Sequence, residues 1–127
     1  MGQMPNRKLV LVVDDDPSML KCVQRLLQHH AYEPILFSSA QAFKSHSDFD
    51  RAACIILDIN LPDGSGIELR HRLNAERVSV PVIYMTGNND PAVRDAALAS
   101  GCIAFLTKPF SAQSLIEPLQ TASAGRS

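Results

Sequence analysis

Five short apolar runs punctuate this chain, each set off by polar or turn-forming residues. The first, within residues 7–13, reads Leu-Val-Leu-Val-Val without polar alternation. A continuous run of that length predicts a strand buried on both faces, as in a parallel sheet covered by helices. Residues 33–37, 53–57, 80–85 and 102–106 predict four more strands in the same way.

Between the strands the spacing changes to a helical one. Met19, Leu20, Val23, Leu26 and Leu27 recur on one side of a helix that Asp16 caps and Pro17 opens, ending near His29 or His30. Ser38-Ser39 opens a short helix over Ala40-Gln41-Ala42-Phe43, and a third helix is expected over 65–73 after the turn-forming Leu61-Pro62-Asp63-Gly64-Ser65-Gly66, whose glycines suit positive φ. Asp90 and Pro91 start a fourth, with Val93, Ala96, Ala97 and Ser100 as its inner stripe and Gly101 as its stop. Ser111 caps the last, with Phe110 and Leu115 placed as a hydrophobic staple and Pro118 expected to kink or weaken its second half. Strands alternating with helices predict an α/β, doubly wound domain: a five-stranded parallel sheet with five helices.

Composition narrows the function more than the fold. The 127 residues are expected to form a single domain with a core over about 8–121 and short flexible ends. A formal net charge of -1 lacks the basic surplus of a nucleic-acid-binding surface, so no direct nucleic-acid partner is expected. The apolar runs are far shorter than the ~20 residues needed to cross a bilayer. With no secretory signal pattern either, a cytoplasmic protein without membrane contact is expected. Cys22, Cys54 and Cys102 lack metal-type spacing and read as reduced, mostly buried thiols; the four histidines read as solvated surface residues.

The ends of the strands carry the chemistry. The first run stops at Asp14-Asp15-Asp16, the third at Asp58, the fourth at Thr86 and the fifth just before Lys108-Pro109. In a parallel α/β sheet all these ends share one edge, where ligands bind. Asp14, Asp15 and Asp58 would then lie within a few ångströms of one another, and two such charges repel by roughly 4 kcal/mol at an effective dielectric near 20. A divalent cation offsets that repulsion, and an oxygen-only donor set suits magnesium. Three carboxylates, one Mg2+ and Lys108 sum to zero charge, a setting that admits a phosphoryl group. Asp58 has the chemistry of a carboxylate nucleophile, with Lys108 and the Thr86 hydroxyl available to the phosphoryl oxygens.

Val12-Val13-Asp14-Asp15-Asp16, the segment from Leu57-Asp58-Ile59-Asn60 to Ser65-Gly66, Met85-Thr86-Gly87 and Leu106-Thr107-Lys108-Pro109-Phe110 together resemble the receiver domain of two-component response regulators, over about residues 8–121. The resemblance implies a flavodoxin-like sheet order of 2-1-3-4-5. It also implies that Asp58 is phosphorylated by a phosphohistidine on a sensor histidine kinase or phosphotransfer protein, in a phosphorelay where the chain assists its own modification without being an enzyme in the ordinary sense. By the same resemblance, Asp15, Asp58 and the Asn60 carbonyl would bind Mg2+ directly and Asp14 through water, Lys108 would hold the phosphoryl group, and the Lys108-Pro109 peptide would be cis.

The family's switch residues fall on Thr86 and Phe105, the latter a departure from the frequent tyrosine. Asn60 and Asn88 stand where the family tunes the rate of phosphoryl loss. Residues 91–121 would form the face that reports to a downstream protein, with a phosphorylation-dependent dimer as a further expectation. The chain would act alone or as the excised domain of a longer regulator. Two rivals are weaker. A haloacid-dehalogenase-like phosphatase would use Asp14 in Asp14-x-Asp16 as nucleophile, but needs an acidic pair where Tyr84-Met85-Thr86-Gly87 stands. A flavodoxin-like flavin module would have to place a cofactor phosphate against three aspartates.

Overall fold

The computed structural model describes residues 7–46 and 48–124. Its main sheet has five parallel strands: β1 (Lys8–Val13), β2 (Tyr32–Phe37), β3 (Ala52–Asp58), β4 (Val82–Thr86) and β5 (Ala104–Thr107). Their order in space is β2-β1-β3-β4-β5, the order expected. Five helices connect them: α1 (Pro17–His29), α2 (Ala40–Lys44), α3 (Gly66–Ala75), α4 (Pro91–Ser100) and α5 (Ala112–Ala124).

Period-two alternation on β1 sorts the core into two layers. Val10 and Val12 face a cluster with Leu20, Val23 and Leu27 of α1 and Leu115, Ile116 and Leu119 of α5. Leu11 and Val13 face the other cluster, with Phe43 of α2, Leu69 and Leu73 of α3 and Ala97 of α4. The sheet is therefore covered on both sides, and this is why its central strands are apolar throughout. All seven residues of β3 are buried.

Several boundaries differ from the sequence expectation. β4 begins at Val82 and includes Thr86, because Pro81, which has no N–H, contributes only its carbonyl to Ile55. β5 begins two residues late, at Ala104, after Gly101 turns the chain with φ of 93°. A two-residue antiparallel ribbon, Asn60–Leu61 against Gly64–Ser65, and a 3-10 turn at Phe49–Arg51 were not expected. Gly64 and Gly66 do not use positive φ; among the described glycines only Gly101 does.

On α4 the inner positions are Ala97 and Ser100 with Val93 half-buried, while Ala96 is exposed. The offsets of four and seven from Val93 keep one stripe, and Ala96 falls beside it. The last helix continues through Pro118 to Ala124, since packing of Leu115, Ile116 and Leu119 on both sides of the proline sustains it. Phe110 and Leu115 join one cluster, as the staple requires.

Cys22 is exposed, contrary to the expectation of mostly buried thiols, while Cys54 is buried and Cys102 half-buried; none of the three is in a disulfide among the described residues. His46 is not a solvated surface residue. Its ring packs edge-on against Phe37 and Phe49, and its Nε2 is buried without a hydrogen-bond partner. The expected flexible ends lie largely outside the described residues.

Candidate functional site

Each strand end delivers its polar residue by a local device. After Val13 the chain turns with Asp14 N bonded to Phe37 O, and the Asp14 carboxylate accepts from Asp16 N at 2.9 Å. Asp16 in turn caps α1 through Ser18 N at 2.9 Å, so its carboxylate serves the helix. Asp58 ends β3 and accepts from Asn60 N at 3.0 Å. Gly66 N bonds to Ile59 O, and a Cβ on Gly66 would lie 2.5 Å from the Asp58 carbonyl oxygen. Only glycine allows α3 to start so close to the acidic residue.

The carboxylates converge. Asp14 is fully buried, Asp58 is 4% exposed and Asp15 is exposed, yet each offers a carboxylate oxygen within 4.8 Å of the others. Lys108 Nζ donates to Asp14 Oδ2 at 2.8 Å and to Asp58 Oδ2 at 3.1 Å. The Lys108–Pro109 peptide is cis. Thr86, fully buried, accepts from Asn60 Nδ2 at 3.1 Å and from Asn88 N at 3.0 Å.

Burial pushes the Asp58 carboxyl up to about 6, with the Asp14 charge adding to it, while the bond from Asn60 N and the Lys108 ammonium pull the other way. For Lys108 burial works against the charge, but the hydrogen bond to Asp14 and the Asp58 charge outweigh it, and its pKa lies above the ordinary lysine value. The donors present, three carboxylates opening to solvent through Asp15, fit a hard divalent cation rather than zinc.

Residues 10–120 match the family model described as the response regulator receiver domain. The chain belongs to that family. Among curated relatives, this receiver is 31% identical over 117 residues to nodulation protein W of Bradyrhizobium diazoefficiens, covering 92% of the chain and 52% of that protein. It is 36% identical over 125 residues to the transcriptional regulatory protein FixJ of Azorhizobium caulinodans, covering 98% and 58%. The chain thus spans about half the length of the curated relatives it matches. Among solved structures, the response regulator StyR superposes with a TM-score of 0.85 at 32% identity, over 94% of this chain and 60% of that one. Response regulators with this domain are phospho-acceptors of two-component signalling.

All residues named from the sequence for the acidic edge come together in the receiver: Asp14, Asp15, Asp58, Asn60, Thr86 and Lys108. Phe105 stands apart on β5, half-buried, with the Arg94 guanidinium 5.5 Å from its ring centroid. Sequence reasoning missed Arg94, whose only signal would have been a cation on the helix before Phe105. It also missed Asp63 as more than a turn residue. Both Asp63 oxygens accept backbone N–H groups at the start of α2, Ala40 N and Gln41 N, each at 2.9 Å. Those two bonds hold its carboxyl below the usual carboxylate range. No local pattern could have shown a cap that reaches back more than twenty residues.

Proposed function

We propose that Asp58 accepts a phosphoryl group from a phosphohistidine on a sensor kinase or phosphotransfer protein, with Mg2+ held by Asp14, Asp15, Asp58 and the Asn60 backbone. The observation that carries the reading is the buried Asp58 carboxylate ending the central strand within 3.1 Å of Lys108 and beside two further aspartates. An Asp58 oxygen attacks phosphorus, the P–N bond to the donor imidazole breaks, and the ring nitrogen keeps the electron pair. Lys108, now shared between Asp14 and Asp58, is placed to pair with a phosphoryl oxygen. Bound magnesium would supply further charge neutralisation on the transferring group.

Thr86 lies at the end of the neighbouring strand, its hydroxyl engaged with Asn60 and Asn88. A phosphoryl group on Asp58 competes for that hydroxyl, and Phe105 turning inward would carry the change to the face of α4, β5 and α5. Leu98 and Ile103, the exposed large apolar residues there, suit a protein partner or a second copy of the domain. Residues from about 8 to 121 act in this reading as one cytoplasmic receiver unit, alone or within a longer regulator, which holds the phosphoryl group temporarily rather than turning over a substrate. Among the described residues no helix is long and apolar enough to cross a membrane. Nothing in the geometry favours the phosphatase alternative: the Asp16 carboxylate that it requires is committed to capping α1.

Incubation with Mg2+ and acetyl phosphate, followed by intact mass and peptide mapping, tests the reading. One phosphoryl adduct on Asp58 is expected, absent in Asp58→Asn and without Mg2+. Lys108→Ala is expected to keep metal binding and to switch poorly. An adduct on Asp14 would overturn the assignment.

A further inference from the structure

The acceptor loop is a small hairpin, and the structure shows what fixes each part of it. At its base, Asn60 N holds Asp58 Oδ1 and Asn60 Nδ2 holds Thr86 Oγ1, while Gly66 packs on the Asp58 carbonyl. The stem is the two-residue ribbon Asn60–Leu61 against Gly64–Ser65. Its tip, Pro62-Asp63, is exposed and would be free to move if only local bonds restrained it.

The tip is instead tied to a different element. Asp63 Oδ1 accepts from Ala40 N and Oδ2 from Gln41 N, both at 2.9 Å, while Ser39 Oγ accepts from Ala42 N at 3.0 Å. Three donors of the first turn of α2 are thereby satisfied, two of them by the hairpin. A carboxylate at a helix start is also favoured by the helix dipole. Gly64 sits directly below, where a Cβ would come within 3.3 Å of Ala40 Cβ, so tip and helix are in close contact as well as hydrogen-bonded.

We propose that Asp63 is a positioning residue for the acceptor site: by bridging to α2 it holds the hairpin whose base presents the Asn60 backbone and side chain to Asp58, Thr86 and the metal. The proposal rests on the functional reading above. It assigns to α2 a role in the site although none of its own side chains reaches the acidic edge. Loss of the bridge lets the ribbon pivot about its base, and the Asn60 carbonyl, which lies three residues from the tip, loses its fixed direction. Binding of a cation with strict octahedral preference is the property most sensitive to that loss.

The test is Mg2+ affinity of the full chain, followed by NMR titration of the Asp58 and Asn60 amides and compared with thermal stability. Asp63→Ala is expected to weaken Mg2+ binding by about three- to tenfold, somewhat less than removal of a direct outer-shell partner. Asp63→Asn keeps one acceptor oxygen and is expected to fall between it and the wild type; it also serves if the alanine variant does not fold. Ser39→Ala is the control, since it removes a cap from the same helix without touching the hairpin. It is expected to lower the melting temperature while leaving Mg2+ affinity unchanged. Unaltered affinity in both Asp63 variants, or an equal loss in Ser39→Ala, overturns the proposal. A wild-type chain that takes no phosphoryl group on Asp58 in the same samples counts against the functional reading, whereas a normal adduct with unaltered affinity in Asp63→Ala counts against the bridge alone.

Discussion

Strands β3 and β5 are both apolar and both end at the acceptor edge, yet they are held very differently. Every residue of β3 is buried, with β1 on one side and β4 on the other. Every residue of β5 is half-buried, on the outer edge with β4 as its one neighbour. The enclosed strand presents Asp58, whose burial raises its pKa and fixes its direction. The open strand presents Phe105, half-buried and with the guanidinium of the exposed Arg94 over its ring. The acidic site and, in the proposed switch, the side chain that would report on it thus sit at different degrees of enclosure in one sheet.

Equal truncations on the two strands are the most forceful way to break this comparison. Leu57→Ala, on a fully buried side chain, is expected to cost ~2–5 kcal/mol in urea unfolding. Leu106→Ala, on β5, is expected to cost less than ~2 kcal/mol, because part of that side chain is already in water. Equal losses would mean that the two strands are equally enclosed in solution.

The charge on Asp58 gives a second, smaller handle. Its carboxyl is pushed up to about 6 in the fold from an ordinary aspartate value of 3.8, so the folded state binds the proton more tightly than the unfolded state. The stability associated with the protonated form is fully present below the unfolded pKa and is lost as pH rises through about 6. Asp58→Asn mimics that protonated form. In metal-free buffer it is expected to be more stable than the wild type above pH 6, by up to ~3 kcal/mol, with the advantage vanishing below about pH 4. Thermal melts across that range read the crossing, and a constant offset at all pH values would remove desolvation as the cause.

The smallest effect sharpens the other side of the comparison. An exposed cation over an aromatic face is worth ~0.5–1 kcal/mol, enough to bias a two-state side chain about two- to fivefold. Arg94→Ala is expected to shift the Phe105 ring population toward the inward state by that factor, read from its ring resonances, while Arg94→Lys retains part of the bias. Identical ring resonances in all three proteins would show that Arg94 does not restrain the switch.

Much of this molecule was legible along the chain because its informative residues are local. The apolar runs of β1 and β3, the Asp16-Pro17 and Asp90-Pro91 helix starts and the Gly101 stop each depend on neighbours a few residues away. What stayed hidden depends on distant partners. Arg70 donates to Val80 O and Gly101 O and Asn74 to Ser100 O, tying α3 to the end of α4, where Tyr84 and Ser100 also share a buried hydroxyl pair at 2.6 Å. His46 was misread for the same reason, since its aromatic neighbours come from β2 and from the turn after it.

Sequence alone determined the alternation of the five main strands with five helices and the residue types waiting at the strand ends, because period, capping and side-chain chemistry are written within a few positions. Tertiary structure decided how those ends act on one another: that Lys108 divides itself between Asp14 and Asp58, that burial lifts Asp58 toward neutrality, and that Asp63 fastens the acceptor hairpin to α2. Each of these is a through-space interaction whose strength depends on distance and solvent exclusion, and neither quantity exists until the sheet has brought the strands together.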